Sequence, residues 1–161
     1  MKKIILVLLV VVFYAGGNFA NAQTADKAAL LNEHAIRSDN AAVRATRDLW
    51  NRVGDRKDES WYKLPKGYLA TFTEDGIENR YIYDQRGSWR YTMLTYREDH
   101  LPAEVRKVVK STYYDYSIAW VKEIRQGEDI AYVVHVESDK EWKDVVVQNG
   151  EMRVLKAFAR Q

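Results

Sequence analysis

The sequence predicts an α+β fold, an antiparallel β-sheet with helices packed on one face, and three observations carry that expectation. Two segments repeat apolar residues at helical spacing, one ending at Val53 and one at Thr112. Short runs rich in Val, Ile, Tyr, Phe and Trp are separated by turn signals such as Asp75-Gly76 and Asn149-Gly150. The strand patterns put aromatic side chains on one face and a mixed set on the other, the asymmetry of a sheet covered on one side only.

The chain opens with Lys2 and Lys3, an apolar stretch from Ile4 to Ala15, then Gly16, Gly17 and the small-residue triplet Ala20-Asn21-Ala22. This order is that of a signal peptide over residues 1–22, cleaved before Gln23. The apolar run is well short of the about 20 residues a spanning helix needs, which favours cleavage over an uncleaved anchor. No cysteine follows, so no lipid anchor is expected, and the product should be periplasmic or secreted. Removing the first 22 of 161 residues leaves 139, a normal size for one domain.

Residues 23–38 are polar and alanine-rich and read as a linker, and the domain proper spans 39–161. Asp39 is placed to cap a helix with Ala42, Thr46, Leu49, Trp50 and Val53 on one face, stopped by Gly54. Asp55, Asp58 and Glu59 then form a charged connection. Strands are expected over Tyr68 to Glu74, Ile77 to Asp84 and Ser88 to Tyr96, the first pair joined by a type I′ turn at Asp75-Gly76. The second pair is joined through Asp84-Gln85-Arg86-Gly87, with Gly87 left-handed.

Leu101-Pro102 introduces a second helix carrying Val105, Val108, Val109 and Thr112 on one side and ending near Tyr113. Four strands follow, over Tyr116 to Arg125, Ile130 to Glu137, Glu141 to Gln148 and Glu151 to Phe158. Tyr132 lies 64 residues after Tyr68, and Gly150 lies 63 after Gly87. That spacing fits two half-repeats of about 39–97 and 101–159, a duplicated helix plus antiparallel β-meander module, although two unrelated meanders would also produce it.

With uninterrupted alternation, Tyr68, Ala70 and Phe72 lie beside Asn79, Tyr81 and Tyr83, and these beside Trp89, Tyr91 and Met93, on the helix-covered face. The opposite, open face then carries Leu69, Thr71, Thr73, Glu78, Arg80, Ile82, Arg90, Thr92 and Leu94. Arg80 and Arg90 become diagonal neighbours there with Thr71 and Thr92 nearby, a set suited to a carboxylate or to backbone carbonyls of a partner. A cross-strand charge surface that merely keeps the sheet soluble is the simpler account of the same set.

Of the formal net charge of +2, both units belong to Lys2 and Lys3, leaving 23 basic against 23 acidic side chains. No basic block remains to bind nucleic acid. Cysteine is absent, which excludes disulfides and thiolate metal sites. His34, His100 and His135 fall in the linker, in the loop before the second helix and in a strand, and no motif brings them together. No catalytic constellation, metal site or cofactor motif is present, so no enzyme is expected. His135 is the one histidine placed to face the open side.

Trp61, the strand from Tyr68 to Phe72, Tyr83-Asp84 followed by Gly87, Leu101-Pro102, Tyr113, Ile118 and Tyr132 share an order and spacing with a known family. In these the chain resembles the PepSY-like, β-lactamase-inhibitor-like periplasmic proteins common in Bacteroidetes, over nearly all of Asp39 to Phe158. The resemblance implies a duplicated helix-plus-antiparallel-sheet module whose uncovered, curved face can hold a protein loop. Together these readings predict a non-enzymatic periplasmic protein-binding or inhibitor-like domain using Thr71, Arg80, Arg90, Thr92 and His135, its partner an unidentified periplasmic protein or peptide. The competing expectation is a small-molecule or glycan-binding module with a pocket lined by Trp61, Trp120 or Trp142.

Overall fold

The structure, a computed structural model, describes residues 40–160. The segment read as a signal peptide, the stretch read as a linker with His34, and Asp39 lie outside the described residues. Helix α1 (Asn40–Val53) precedes four strands, β1 (Ser60–Leu64), β2 (Gly67–Glu74), β3 (Ile77–Tyr83) and β4 (Trp89–Tyr96). A single 3-10 turn, Glu98–His100, leads to helix α2 (Ala103–Thr112) and four more strands, β5 (Ser117–Gln126), β6 (Asp129–Glu137), β7 (Glu141–Gln148) and β8 (Glu151–Ala159). The eight strands form one sheet in chain order, every neighbouring pair antiparallel.

The α+β architecture is as the sequence predicts, but the first helix is followed by four antiparallel strands rather than three, the same number as follow the second. The strand β1 was not expected. It is five residues long, sits at the edge of the sheet and lies between charged residues and Pro65, so its two faces give little alternation to read.

Both helices cover the same face. Ala41, Ala42, Ala45 and Leu49 of α1 pack on Tyr68, Ala70, Phe72 and Tyr83. Val105 and Val109 of α2 pack with Leu94, Tyr96, Val121, Val134, Val136, Val145 and Val147. Small alanines on α1 let its backbone approach the tyrosine-rich sheet closely. Trp50, expected on the buried face, is 44% exposed and its indole N–H donates to Glu59.

The register of β2 on β3 is as expected, with Tyr68 opposite Tyr83 and Thr71 opposite Arg80. That of β3 on β4 is not. Tyr83 pairs with Trp89 but Ile82 pairs with Tyr91, so Arg90 is an extra residue in a β-bulge. Beyond the bulge every side chain of β4 changes face: Thr92 and Leu94 join the helix-covered side, and Tyr91 and Met93 turn to the open side. Both faces of β4 are apolar enough to be buried, so its alternation did not reveal the shift.

Candidate functional site

The open face has an apolar floor of its own. Met93, Ile124, Ala131, Val133 and Val146 are each no more than 5% exposed, with Tyr91, Trp120 and Leu155 packed against them, and no described helix lies on this side.

Along one side of this floor runs a row of rings, one from each of the last four strands. Trp120 stacks on His135 with centroids 4.8 Å apart and planes 10° from parallel. His135 meets Trp142 at 5.0 Å, and Trp142 stacks on Phe158 at 4.4 Å. A second bulge, in β5 between Ile118 and Trp120, brings Trp120 opposite His135. Rings lying side by side and flat on the sheet would have centroids farther apart than this, so the rings stand on edge and overlap one another.

Charged groups hold the row in place. Asp144, directly across from His135, is 2.6 Å from its Nδ1, and Glu137 is 3.7 Å from Nε2. Lys122 lies with its Nζ 4.9 Å over the Trp120 ring. Desolvation, reinforced by the nearby Arg80 guanidinium, holds the Lys122 ammonium below its ordinary value, with Asp144 and Glu78 opposing.

The residues singled out from sequence separate here. Thr71 and Arg80 are direct cross-strand partners on the open face, and Arg80 is paired with Glu78 at 2.7 Å. His135 also faces this side, at the centre of the ring row. Thr92 does not: it is 5% exposed on the helix-covered face and accepts a hydrogen bond from the Trp89 indole N–H at 3.0 Å. Arg90 is the bulged residue, 3.9 Å from Asp84, and Arg80 pairs instead with Met93, so the expected Arg80–Arg90 diagonal is absent.

Of the tryptophans, Trp120 and Trp142 enter the same row while Trp61 packs on Tyr83 under α1. Sequence reasoning missed Lys122, Asp144 and Phe158. Counting alternation outward from His135 would have found Asp144, whereas the bulge in β5 obscured the phase of Trp120. Open depressions flank the sheet, one of about 750 Å³ beside Thr95 and Trp120 and another of about 650 Å³ beside Tyr116, Glu137 and Arg160. Among the described residues no three His, Asp or Glu side chains converge as a metal-ligand set.

No family model and no curated protein matches this sequence. Solved structures do share its fold. A DUF2874 family protein of Bacteroides ovatus superposes with a TM-score of 0.60 at 17% identity, covering 72% of this chain and 85% of its own. A BLIP-like protein of Bacteroides fragilis superposes at 0.58 and 21% identity, with 72% and 84% covered. A candidate periplasmic protein of Bacteroides eggerthii does so at 0.59 and 16%, with 72% and 86% covered. The fold is BLIP-like. The likeness bears on the inhibitor-like side of the family resemblance and not on its PepSY side.

Proposed function

We propose that this chain is a non-enzymatic extracytoplasmic binding module that holds a protein segment on the open face of its sheet. The observation that carries the reading is the face that no described helix covers, with its buried floor, its row of Trp120, His135, Trp142 and Phe158, and Arg80 and Lys122 beside it. Tryptophan and arginine on a preformed surface are the side chains that most often dominate protein binding energy. The fold likeness to a candidate periplasmic protein, together with the signal-like N-terminus, supports a location outside the cytoplasm.

The ring geometry favours a protein segment over a glycan. A sugar needs a flat ring face to stack on, and overlapping rings offer one another their faces and the ligand their edges. Edges suit methyl groups and aromatic side chains better than a pyranose.

The test is photo-cross-linking in a periplasmic extract from single positions of the chain. A cross-linker at position 142 should capture a protein partner, and one at Arg47 on the exposed side of α1 should not. Adding Arg80→Glu should abolish the capture at position 142. Equal capture from both positions, or capture indifferent to Arg80→Glu, overturns the reading.

A further inference from the structure

The sheet has two edges, and they are not alike. Strand β1 is five residues long and followed by Pro65, a short edge of the kind that discourages pairing. Strand β8 runs nine residues from Glu151 to Ala159 without proline. It exposes large apolar side chains on both faces, Val154 at 49% and Phe158 at 51%. Such an edge is a template for another strand.

We propose that the strand which fits β8 is β8 of a second copy, the two pairing antiparallel about a two-fold axis between Leu155 and Lys156. A bulge opposite Asp144 and Val145 interrupts β8, since Val145 pairs with Val154 but Asp144 pairs with Lys156. Leu155 packs on the open-face floor, so Leu155 and Lys156 both point to the open side. Taken in order, Glu151, Arg153, Leu155, Lys156, Phe158 and Arg160 face the open side, and Met152, Val154, Ala157 and Ala159 face the helices.

Directly opposed residues in an antiparallel pair lie on the same face. For two copies of β8 this condition holds along the whole strand in one register only, that in which the break of one copy meets the break of the other. Leu155 then lies opposite Lys156, Val154 opposite Ala157, Arg153 opposite Phe158, Met152 opposite Ala159 and Glu151 opposite Arg160. A shift by one or two residues in either direction opposes at least one open-side residue to a helix-side residue.

The chemistry of that register agrees with its geometry. The acid Glu151 meets the base Arg160, and the two-fold axis repeats the pair. The guanidinium of Arg153 meets the ring of Phe158, also twice, a cation–π arrangement. Val154 and Ala157 cover each other. Arg160, which already engages Glu137 of its own chain, would then lie between two carboxylates. The pairing leaves both open faces on the same side of one continuous sheet of two copies.

The chain lacks cysteine, which makes the register directly testable. Val154→Cys and Ala157→Cys in one mature chain place two thiols opposite two thiols across the axis. Within a single strand those positions are about 10 Å apart, beyond the reach of a disulfide. Mild oxidation should convert the double variant to a covalent dimer and leave each single variant without a covalent cross-link on a denaturing gel. Glu151→Arg should weaken the wild-type dimer roughly tenfold in sedimentation, and adding Arg160→Glu should restore it. A double-cysteine chain that stays monomeric, single variants that cross-link as well as the double, or a wild-type chain that sediments as monomer at high concentration each overturns the proposal.

Discussion

Among the described residues Glu123 is the most deeply buried acid, on the helix-covered side at 4% exposure. It accepts a hydrogen bond from the Tyr96 hydroxyl at 2.6 Å and pairs with Arg125 on the same strand. A buried carboxylate that loses a donor incurs its desolvation cost without compensation. Tyr96→Phe should therefore cost about 1–3 kcal/mol, measured by urea unfolding. Desolvation first and Glu123 second push the Tyr96 hydroxyl well above the ordinary tyrosine value. The folded chain then keeps this proton while the unfolded chain releases it above pH of about 10, so stability should fall as pH rises past that point, and fall less steeply in Tyr96→Phe. In the sequence Glu123 looks like any strand acid. Only the pairing of Leu94 with Glu123, which depends on the bulge at Arg90, turns it inward beneath Tyr96.

The turn between β3 and β4 shows how one connection positions a helix. Asp84 Oδ1 accepts the backbone N–H groups of Arg86 and Ser88 at 2.9 and 3.0 Å, and the Arg44 side chain of α1 donates to the Arg86 carbonyl. Those backbone donors, Ser88 foremost, hold the Asp84 carboxyl below the usual range. Its stabilisation is present above the unfolded value near about 3.9 and is lost as pH falls through the lower folded value. Asp84→Asn should flatten that part of the acid-unfolding profile while leaving neutral-pH structure intact by circular dichroism. Gly87 has φ of 78°, and a Cβ there would stand 2.0 Å from the Ala41 carbonyl oxygen of α1. Gly150 has the same φ of 78° but open space around it. Gly150→Ala should thus cost about 1–2 kcal/mol, the backbone term alone, and Gly87→Ala clearly more, because α1 has to move as well. Both glycines were legible as left-handed turn residues from the Asp84-to-Gly87 and Asn149-Gly150 patterns. The docking of a helix against one of them was not, since no local pattern encodes a contact with residue 41.

At the scale of the molecule, the two helices, seven of the eight strands and the covered face were readable because their apolar periods and turn dipeptides are local signals. The open face was read in part. Thr71, Arg80 and His135 follow from uninterrupted alternation, and they are where that alternation puts them. Thr92, Arg90 and the phase of Trp120 lie at or beyond a bulge, and a one-residue insertion exchanges the faces of everything after it. The ring row therefore appears only when four strands are laid side by side, with bulges in β5 and β8 bordering it. The strand order β1 to β8 carries one more consequence. Every strand hydrogen-bonds only to strands adjacent to it in the chain, so no rung of the sheet waits for distant segments to find each other. Loop closure stays short throughout, with the passage through α2 the longest, and the entropic barrier to assembly is correspondingly small for a sheet of this width. A chain delivered N-terminus first can lay down its hairpins in the order they arrive, each completed ladder being the template for the next.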